Sequence, residues 1–364
     1  MFDLDKNLAC RFYADEWLEI AAWYRSFSLE VINDPDRVLK LSSHPLIRKR
    51  IEAEFAATTL QRADLYEVMA YGDSSFLLTA PGPSLSGVLL QTLGDEEQYE
   101  YFYHYVMEHL CRTFFAVTEP KKGSDAGHME THLSTDGFLS GEKLLFGNGA
   151  VAPIGTVLAR TGNGPLDVVA ILLSPALLNS GAVTSQVLDM FAMPGAQLSY
   201  MRFERLRIPE EMLLGRNLKP MEGGMMGMLK TFHRFRPGVA SMAIGHGQAL
   251  VDYTRRHFAK FQEQLDVFDR QLAQVRALNR AAAQQVDAEP LQGSLVSLAK
   301  SKATAVAEGI ARVLSKQLPA AALLEHPWLS KSLADVYAYE YMEGTTQIQL
   351  NNIHNGYRRR EISL

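Results

Sequence analysis

Cysteine is nearly absent: Cys10 and Cys111 are the two among 364 residues. So sparse a supply excludes a disulfide framework and sets the expectation of a reducing compartment, the cytoplasm. No uninterrupted apolar run approaches the roughly 18–20 residues of a membrane-spanning helix, so no membrane association is expected. A basic excess is missing as well. Lys and Arg total 36 against 41 Asp and Glu, a formal charge of −5, which argues against binding nucleic acid. The run Tyr357-Arg358-Arg359-Arg360 is too short to alter that balance and reads as a solvated tail. The opening MFDLDKNLACRFYADEW carries acids where a secretory leader needs a basic patch and an apolar stretch. Internal repeats and low-complexity tracts are also lacking.

What is present is a globular composition, 47% hydrophobic and 21% charged, over a length sufficient for two or three packed subdomains. Three textures follow one another. Residues 1–113 read as mostly helical: PLIRKRIEAEFAATTLQRADLYEVMAY places apolar side chains every three or four positions. The turn-formers of GDSSFLLTAPGPSLSGVLLQTLG interrupt that run, and helix resumes near Asp95. Residues 114–216 read as an antiparallel β domain. FFAVTEP, LSGEKLLF, TVLART, DVVAILLS, SQVLDM and SYMRFERLRI are rich in β-branched and aromatic residues and bounded by turn-formers. Residues 217–364 return to helical periodicity. Leu265, Phe268, Leu272, Val275 and Leu278 form one apolar stripe, and SLVSLAKSKATAVAEGIARVLSKQL is a further helix rich in Ala and Lys.

Two stretches carry chemistry. In TFFAVTEPKKGSDAG (113–127) a strand enters a loop with hydroxyls at Thr118 and Ser124 and backbone amides near Gly123. That arrangement suits a polar ring edge or a pyrophosphate, although strand-then-turn describes it equally well. In EYMEGTTQIQL (340–350) Glu343 precedes Gly344 at the close of a helical region; by itself it reads as a helix-end carboxylate. His128 and His132 have the spacing of a helical zinc pair but fall in the β block, so no metal site is expected. Gly245-His246-Gly247 lies within a helix without a preceding strand and reads as close helix packing.

VTEPKKGSDAG resembles the TEP-x-x-GSD segment of the acyl-CoA dehydrogenase family of flavoproteins, and further segments match the family in order. LGDEEQ (93–98), LSGEKLLFGNGA (139–150), FERLRIPEEMLLG (203–215), MEGGMMGMLKTFHRFRPGVASMAIGHGQAL (221–250) and YMEGTTQIQ (341–349) are similar to its characteristic runs. The resemblance implies an N-terminal helical domain, a middle β barrel or sandwich, and a C-terminal four-helix bundle, mainly α overall, with FAD between sheet and bundle. It implies α,β-desaturation of an acyl thioester carried on CoA or acyl carrier protein. Glu343 would remove the α-proton while the β-hydride leaves for flavin N5 and electrons pass to a separate acceptor. Such chemistry requires donors on the thioester carbonyl and a desolvated carboxylate. By the same resemblance Arg236 tunes the charge at the base. Phe115, Val117, Thr118, Gly123, Ser124, Asn148, Thr345 and Gln347 would hold the cofactor, and the assembly would be a homodimer or homotetramer.

The chain departs from the family where Leu145 and Gly147 replace the tryptophan and threonine of its WIT strand, and where His233 replaces an acid. The loops through which that family reaches a neighbouring subunit's FAD are not recognisable. Two other functions stay open beside this one, the second motivated by Leu145 and Gly147. One is oxidation of a hydroxyacyl or aldehyde carrier-protein intermediate during polyketide or peptide assembly in secondary metabolism. The other is a flavin-free binding or scaffold protein.

Overall fold

The computed structural model describes residues 4–40, 44–123, 126–164, 167–219 and 222–361. The first block holds α1 (Asp15–Phe27), α2 (Pro45–Ala56), α3 (Thr59–Thr79), α4 (Ser84–Leu93) and α5 (Glu96–His109). Side-chain caps set its boundaries. The Thr58 hydroxyl accepts from the Gln61 amide while the Gln61 side chain accepts from the Thr58 amide, so a continuous apolar pattern divides into α2 and α3. Asp95 and Gln98 form the same reciprocal cap at α5.

Between Gly72 and Gly94 the chain differs from expectation, because the turn-formers do not stop the helix. A Cβ at Gly72 would overlap the Ala21 carbonyl of α1, so this glycine serves close packing. Asp73 leaves helical geometry (φ −164°, ψ 123°), and its carboxylate accepts from the Phe76 amide. It thereby caps the remainder of the same helix, which bends and runs on to Thr79.

The middle block contains β1 (Thr113–Ala116), β2 (His132–Leu133), β3 (Phe138–Phe146), β4 (Ile154–Arg160), β5 (Val168–Leu173), β6 (Val183–Val187), β7 (Ser199–Arg207) and β8 (Leu213–Leu214). Their order is β6-β7-β3-β2-β4-β5-β8, with β1 beside β4. Each segment read as a strand overlaps one, SQVLDM only through Ser185–Val187; β2 and β8, two residues each, are too short to show a period. Most pairs are antiparallel, but β1 runs parallel to β4 with Thr113 opposite Ile154. The chain passes through β2 and β3 between them, a crossover long enough for parallel pairing. The sheet curls over its own core, since Phe114, Val157 and Ile171 share one apolar cluster with Met201 and Phe203 from the other end of the strand order.

The last block holds α6 (Gly224–His257), α7 (Gln262–Ala288), α8 (Ser294–Gln317), α9 (Pro327–Asp335) and α10 (Thr346–Arg358). Helices α6, α7 and α8 pack on one another, and α10 packs on α8 to complete a four-helix bundle. A Cβ at Gly245 would overlap the Glu67 carbonyl of α3, and Gly247 faces Leu272 and Ile310. The Gly-His-Gly run is therefore a helix contact. Among the described residues no helix is long and apolar enough to cross a membrane.

A buried lysine joins the three blocks. Lys331 of α9 donates to Asp73 Oδ2 (2.8 Å) and Asp335 Oδ2 (2.7 Å), and Asp335 Oδ1 accepts from the Met193 amide in the β6–β7 connection (2.5 Å).

Candidate active site

The apolar stripe of α8 contains an anomaly. Val296, Ala299, Ala303, Ala307 and Ile310 are buried at helical spacing, and Lys300 lies among them, fully buried. An ammonium in such a place must find acceptors. Lys300 Nζ donates to the main-chain carbonyls of Glu340 (3.1 Å) and Gly344 (2.8 Å). From α6, Arg236 Nε donates to the Glu343 carbonyl at 2.9 Å. From α10, Gln349 Nε2 donates to the carbonyls of Glu343 (3.0 Å) and Gly344 (2.9 Å). Glu340 closes the loop from within: its carboxylate accepts from the Thr346 amide (2.8 Å) and hydroxyl (2.6 Å), placing negative charge at the N-terminus of α10.

Held from three helices, Glu343 and Gly344 both take positive φ, 52° and 99°. Glycine tolerates this freely; glutamate adopts it only where its surroundings enforce it. The side chain is half-buried, and among the described residues nothing donates a hydrogen bond to its carboxylate. Burial pushes the carboxyl up to about 7, while Arg236 and Lys300 pull the other way. Burial also lowers both cations, Arg236 to about 10 against the pull of Glu343, and Lys300 to about 8 against Glu340 and Glu343.

A chain of contacts links this loop to the sheet. The Phe115 ring of β1 meets the Phe232 ring of α6 edge-on, with centroids 5.7 Å apart, and the Arg236 guanidinium carbon lies 5.4 Å from the Phe232 centroid. Phe115 and Val117 are buried. Thr118 is half-buried, and among the described residues its hydroxyl has no hydrogen-bond partner. The loop after β1 is shaped from below. Lys143 of β3, fully buried, donates to the Val117 carbonyl (2.9 Å) and to Glu119 (2.8 Å), whose carboxylate also accepts from the amides of Glu130 and Thr131. Burial lowers Lys143 to about 8. At Glu119 burial is outweighed by Lys143 and the amide donors, which hold the carboxyl below its usual range.

The remaining candidates divide. Gly123 is exposed, with open space where a Cβ would stand, and Ser124 lies outside the described residues. Asn148 sits in the turn after β3 and donates to the Leu78 carbonyl of α3 (2.9 Å), so its contacts run away from the Arg236–Glu343 cluster. Thr345 occupies the N-cap of α10 without a side-chain cap bond, and the exposed Gln347 bonds Asn351. Leu145 is 51% exposed, at an irregularity in the β3–β7 register. His233 packs against Gly293 and donates through Nδ1 to the Pro290 carbonyl (3.0 Å), an anchoring role. No group of metal ligands is found among the described residues. A cleft of about 350 Å³ lined by Ile32, Val187, Phe191, Lys331 and Asp335 is separate from all of these residues.

Lys300, Gln349 and Phe232 were not singled out from the sequence. For Lys300 a signal existed, a lysine on the apolar stripe of its helix; for the other two the partner lies too far along the chain for a local pattern to show it.

Buried polar atoms near these elements, among them Arg236 Nη1, Gln349 Oε1 and Asn148 Oδ1, have no hydrogen-bond partner among the described residues. Such atoms each cost about 1–3 kcal/mol unless a bound group completes them. Together with the unpaired Thr118 hydroxyl and the exposed Leu145, they fit a polar, ring-bearing cofactor seated against the sheet.

A family model described as acyl-CoA dehydrogenase, middle domain, matches residues 114–206, and one described as acyl-CoA dehydrogenase, C-terminal domain, matches 222–357. Over 315 residues the chain is 26% identical to a probable medium-chain specific acyl-CoA dehydrogenase 2, mitochondrial, of Caenorhabditis briggsae, covering 80% of this chain and 74% of that one. The solved structure of butyryl-CoA dehydrogenase from Megasphaera elsdenii is similar with a TM-score of 0.78 at 21% identity, covering 95% of this chain and 99% of that one. That of PigA with FAD and proline gives a TM-score of 0.76 at 17% identity, covering 99% and 100%. At these identities the two structures show a shared fold.

Proposed function

The chain belongs to the acyl-CoA dehydrogenase family, oxidoreductases acting on CH–CH bonds with FAD, and from that premise we propose that it desaturates an acyl thioester with Glu343 as the general base. The observation that carries this reading is the state of Glu343: half-buried, free of donors, and raised to about 7 on a main chain fixed by Arg236, Lys300 and Gln349. A base poised near the operating pH combines adequate ionisation with adequate proton affinity. Arg236 contributes by charge, since its hydrogen bond goes to the Glu343 carbonyl and leaves the carboxylate oxygens open to a substrate Cα–H.

FAD, when bound, supplies the redox capacity by accepting the electron pair that leaves the substrate Cβ. Phe115, Val117 and Thr118 would meet its ring edge, Asn148 Oδ1 and Arg236 Nη1 would complete their bonding with it or with substrate, and Gly123, Ser124, Thr345 and Gln347 would flank it. A separate protein then takes the electrons, and the working form is a homodimer or homotetramer in the cytoplasm. CoA and acyl carrier protein thioesters present the same acidic Cα–H, so one site chemistry serves either carrier. Turnover on butyryl-CoA against the matching carrier-protein thioester assigns it.

Glu343→Gln is expected to abolish substrate-driven bleaching of the flavin while leaving the bound-flavin spectrum in place; unchanged bleaching would remove Glu343 from the reaction. Purification with stoichiometric FAD would eliminate the scaffold reading.

A further inference from the structure

We infer that Lys300 is a positioning residue for the Glu343 carboxylate. It holds the Gly344 carbonyl so that the Glu343–Gly344 peptide stays in its left-handed conformation and the acid stays aimed at the reacting carbon. The inference rests on the reading of Glu343 as the base.

Three observations support it. Lys300 is fully buried on the apolar stripe of α8, where an alanine or leucine would be the ordinary occupant. Among the described residues no carboxylate takes a hydrogen bond from it. Its ammonium goes to the carbonyls of Glu340 and Gly344, which bracket Glu343 on either side. A buried lysine with no ion-pair partner in contact is costly and serves poorly as a stability element. The two left-handed residues in succession lie between its two acceptors, and that geometry does not persist without external support. Arg236 and Gln349 secure the Glu343 carbonyl, and Gln349 shares the Gly344 carbonyl with Lys300; among the described residues Lys300 is the side chain that bonds the carbonyls of both Glu340 and Gly344. The groups that face it are few. Glu340, Glu343 and Arg236 lie around the loop, and Glu308 follows it on α8. Arg236 in turn has His233 beside it on α6.

The test compares Lys300→Met, which removes donors and charge at similar volume, with Lys300→Arg, which keeps both. Each holoenzyme is measured for FAD content, thermal midpoint, single-turnover flavin reduction and its pH profile. For Lys300→Met the reduction rate is expected to fall about tenfold to a hundredfold, the loss typical of a misplaced catalytic group. KM should stay within about twofold, since ground-state binding is not involved. The acid limb of the rate profile should move to higher pH, because a positive charge next to Glu343 has gone. Lys300→Arg should recover part of the rate and return the limb. If Lys300→Met does not fold, Lys300→Gln, which keeps an amide donor and loses the charge, takes its place with the same limb shift expected.

A fully FAD-loaded Lys300→Met enzyme with wild-type rate and an unmoved limb would overturn the proposal, as would a loss confined to thermal midpoint and FAD content. Glu343→Gln, run in parallel, separates the two readings. If it is inactive while Lys300→Met is normal, the positioning role alone fails; if it still bleaches, the base assignment fails and the positioning role with it.

Discussion

With Glu343 as the proposed base, folding and chemistry oppose each other at one residue. An unperturbed glutamate titrates near 4.5 and this one near 7, raised chiefly by burial. Between those values the folded protein binds more protons than the unfolded chain, so stability falls as pH rises through the window and the loss is complete above about 7. At ~1.4 kcal/mol per pH unit, the ionised carboxyl costs roughly 3–4 kcal/mol at pH 8. Glu343→Gln should therefore be more stable than wild type at pH 8 and lose most of that advantage by pH 5, as read from denaturant midpoints. Activity should run the other way, rising with pH as the base ionises. Equal midpoints at both pH values would show a solvated carboxyl with no special basicity. Glu343, Gly344 and Arg236 could be marked from the sequence because they lie in contiguous motifs. Lys300 and Gln349 could not be connected to them, since no local pattern tells which carbonyl a buried donor will reach. The stripe that Lys300 interrupts showed only that it must reach one.

Helix and strand positions were largely legible, because burial imposes its period on each segment alone. TVLART and DVVAILLS became β4 and β5, and SLVSLAKSKATAVAEGIARVLSKQL became α8, as the pattern required. What the pattern did not show was the continuation of α3 past Gly72, since a glycine used for contact and a glycine used for a turn look alike until the neighbour is known. Gly245 makes the same point with a measurable outcome. Alanine there gains about 1 kcal/mol of helix propensity, but its Cβ collides with the Glu67 carbonyl of a second helix. Overpacking against backbone costs about 1–3 kcal/mol, and a contact this close lies at the upper end, so Gly245→Ala is expected to destabilise the protein by about 1–2 kcal/mol in denaturant melts. A stabilised variant would mean that α3 and α6 part far enough to admit a methyl group between them.

Across the whole molecule, the expected three-part arrangement is seen as helices, curled sheet and bundle. How the parts are joined was not legible: Asp73, Met193 and Lys331 belong to three separate blocks with no shared motif. Burial opposes the charge on Lys331, but Asp73 and Asp335 overcome it and hold the ammonium above its usual range. Lys331→Met would leave two carboxylates buried side by side, and removing one partner of such a group costs about 3–5 kcal/mol. The expected result is a lower unfolding midpoint, recovered in part by adding Asp73→Asn.

The middle block takes part in this junction through a main-chain amide alone, at Met193, whose backbone is left-handed (φ 47°). The hydrogen bond does not depend on the side chain, but Met193 is also 1% exposed within the main apolar core, so both its path and its apolar character are constrained. A chimera that borrowed the sheet from a relative would therefore need an apolar side chain able to hold that left-handed path, since glycine would leave a cavity and asparagine would bury an amide. Proline, which has no N–H and cannot reach that φ, would leave Asp335 short of a donor and unseat the graft.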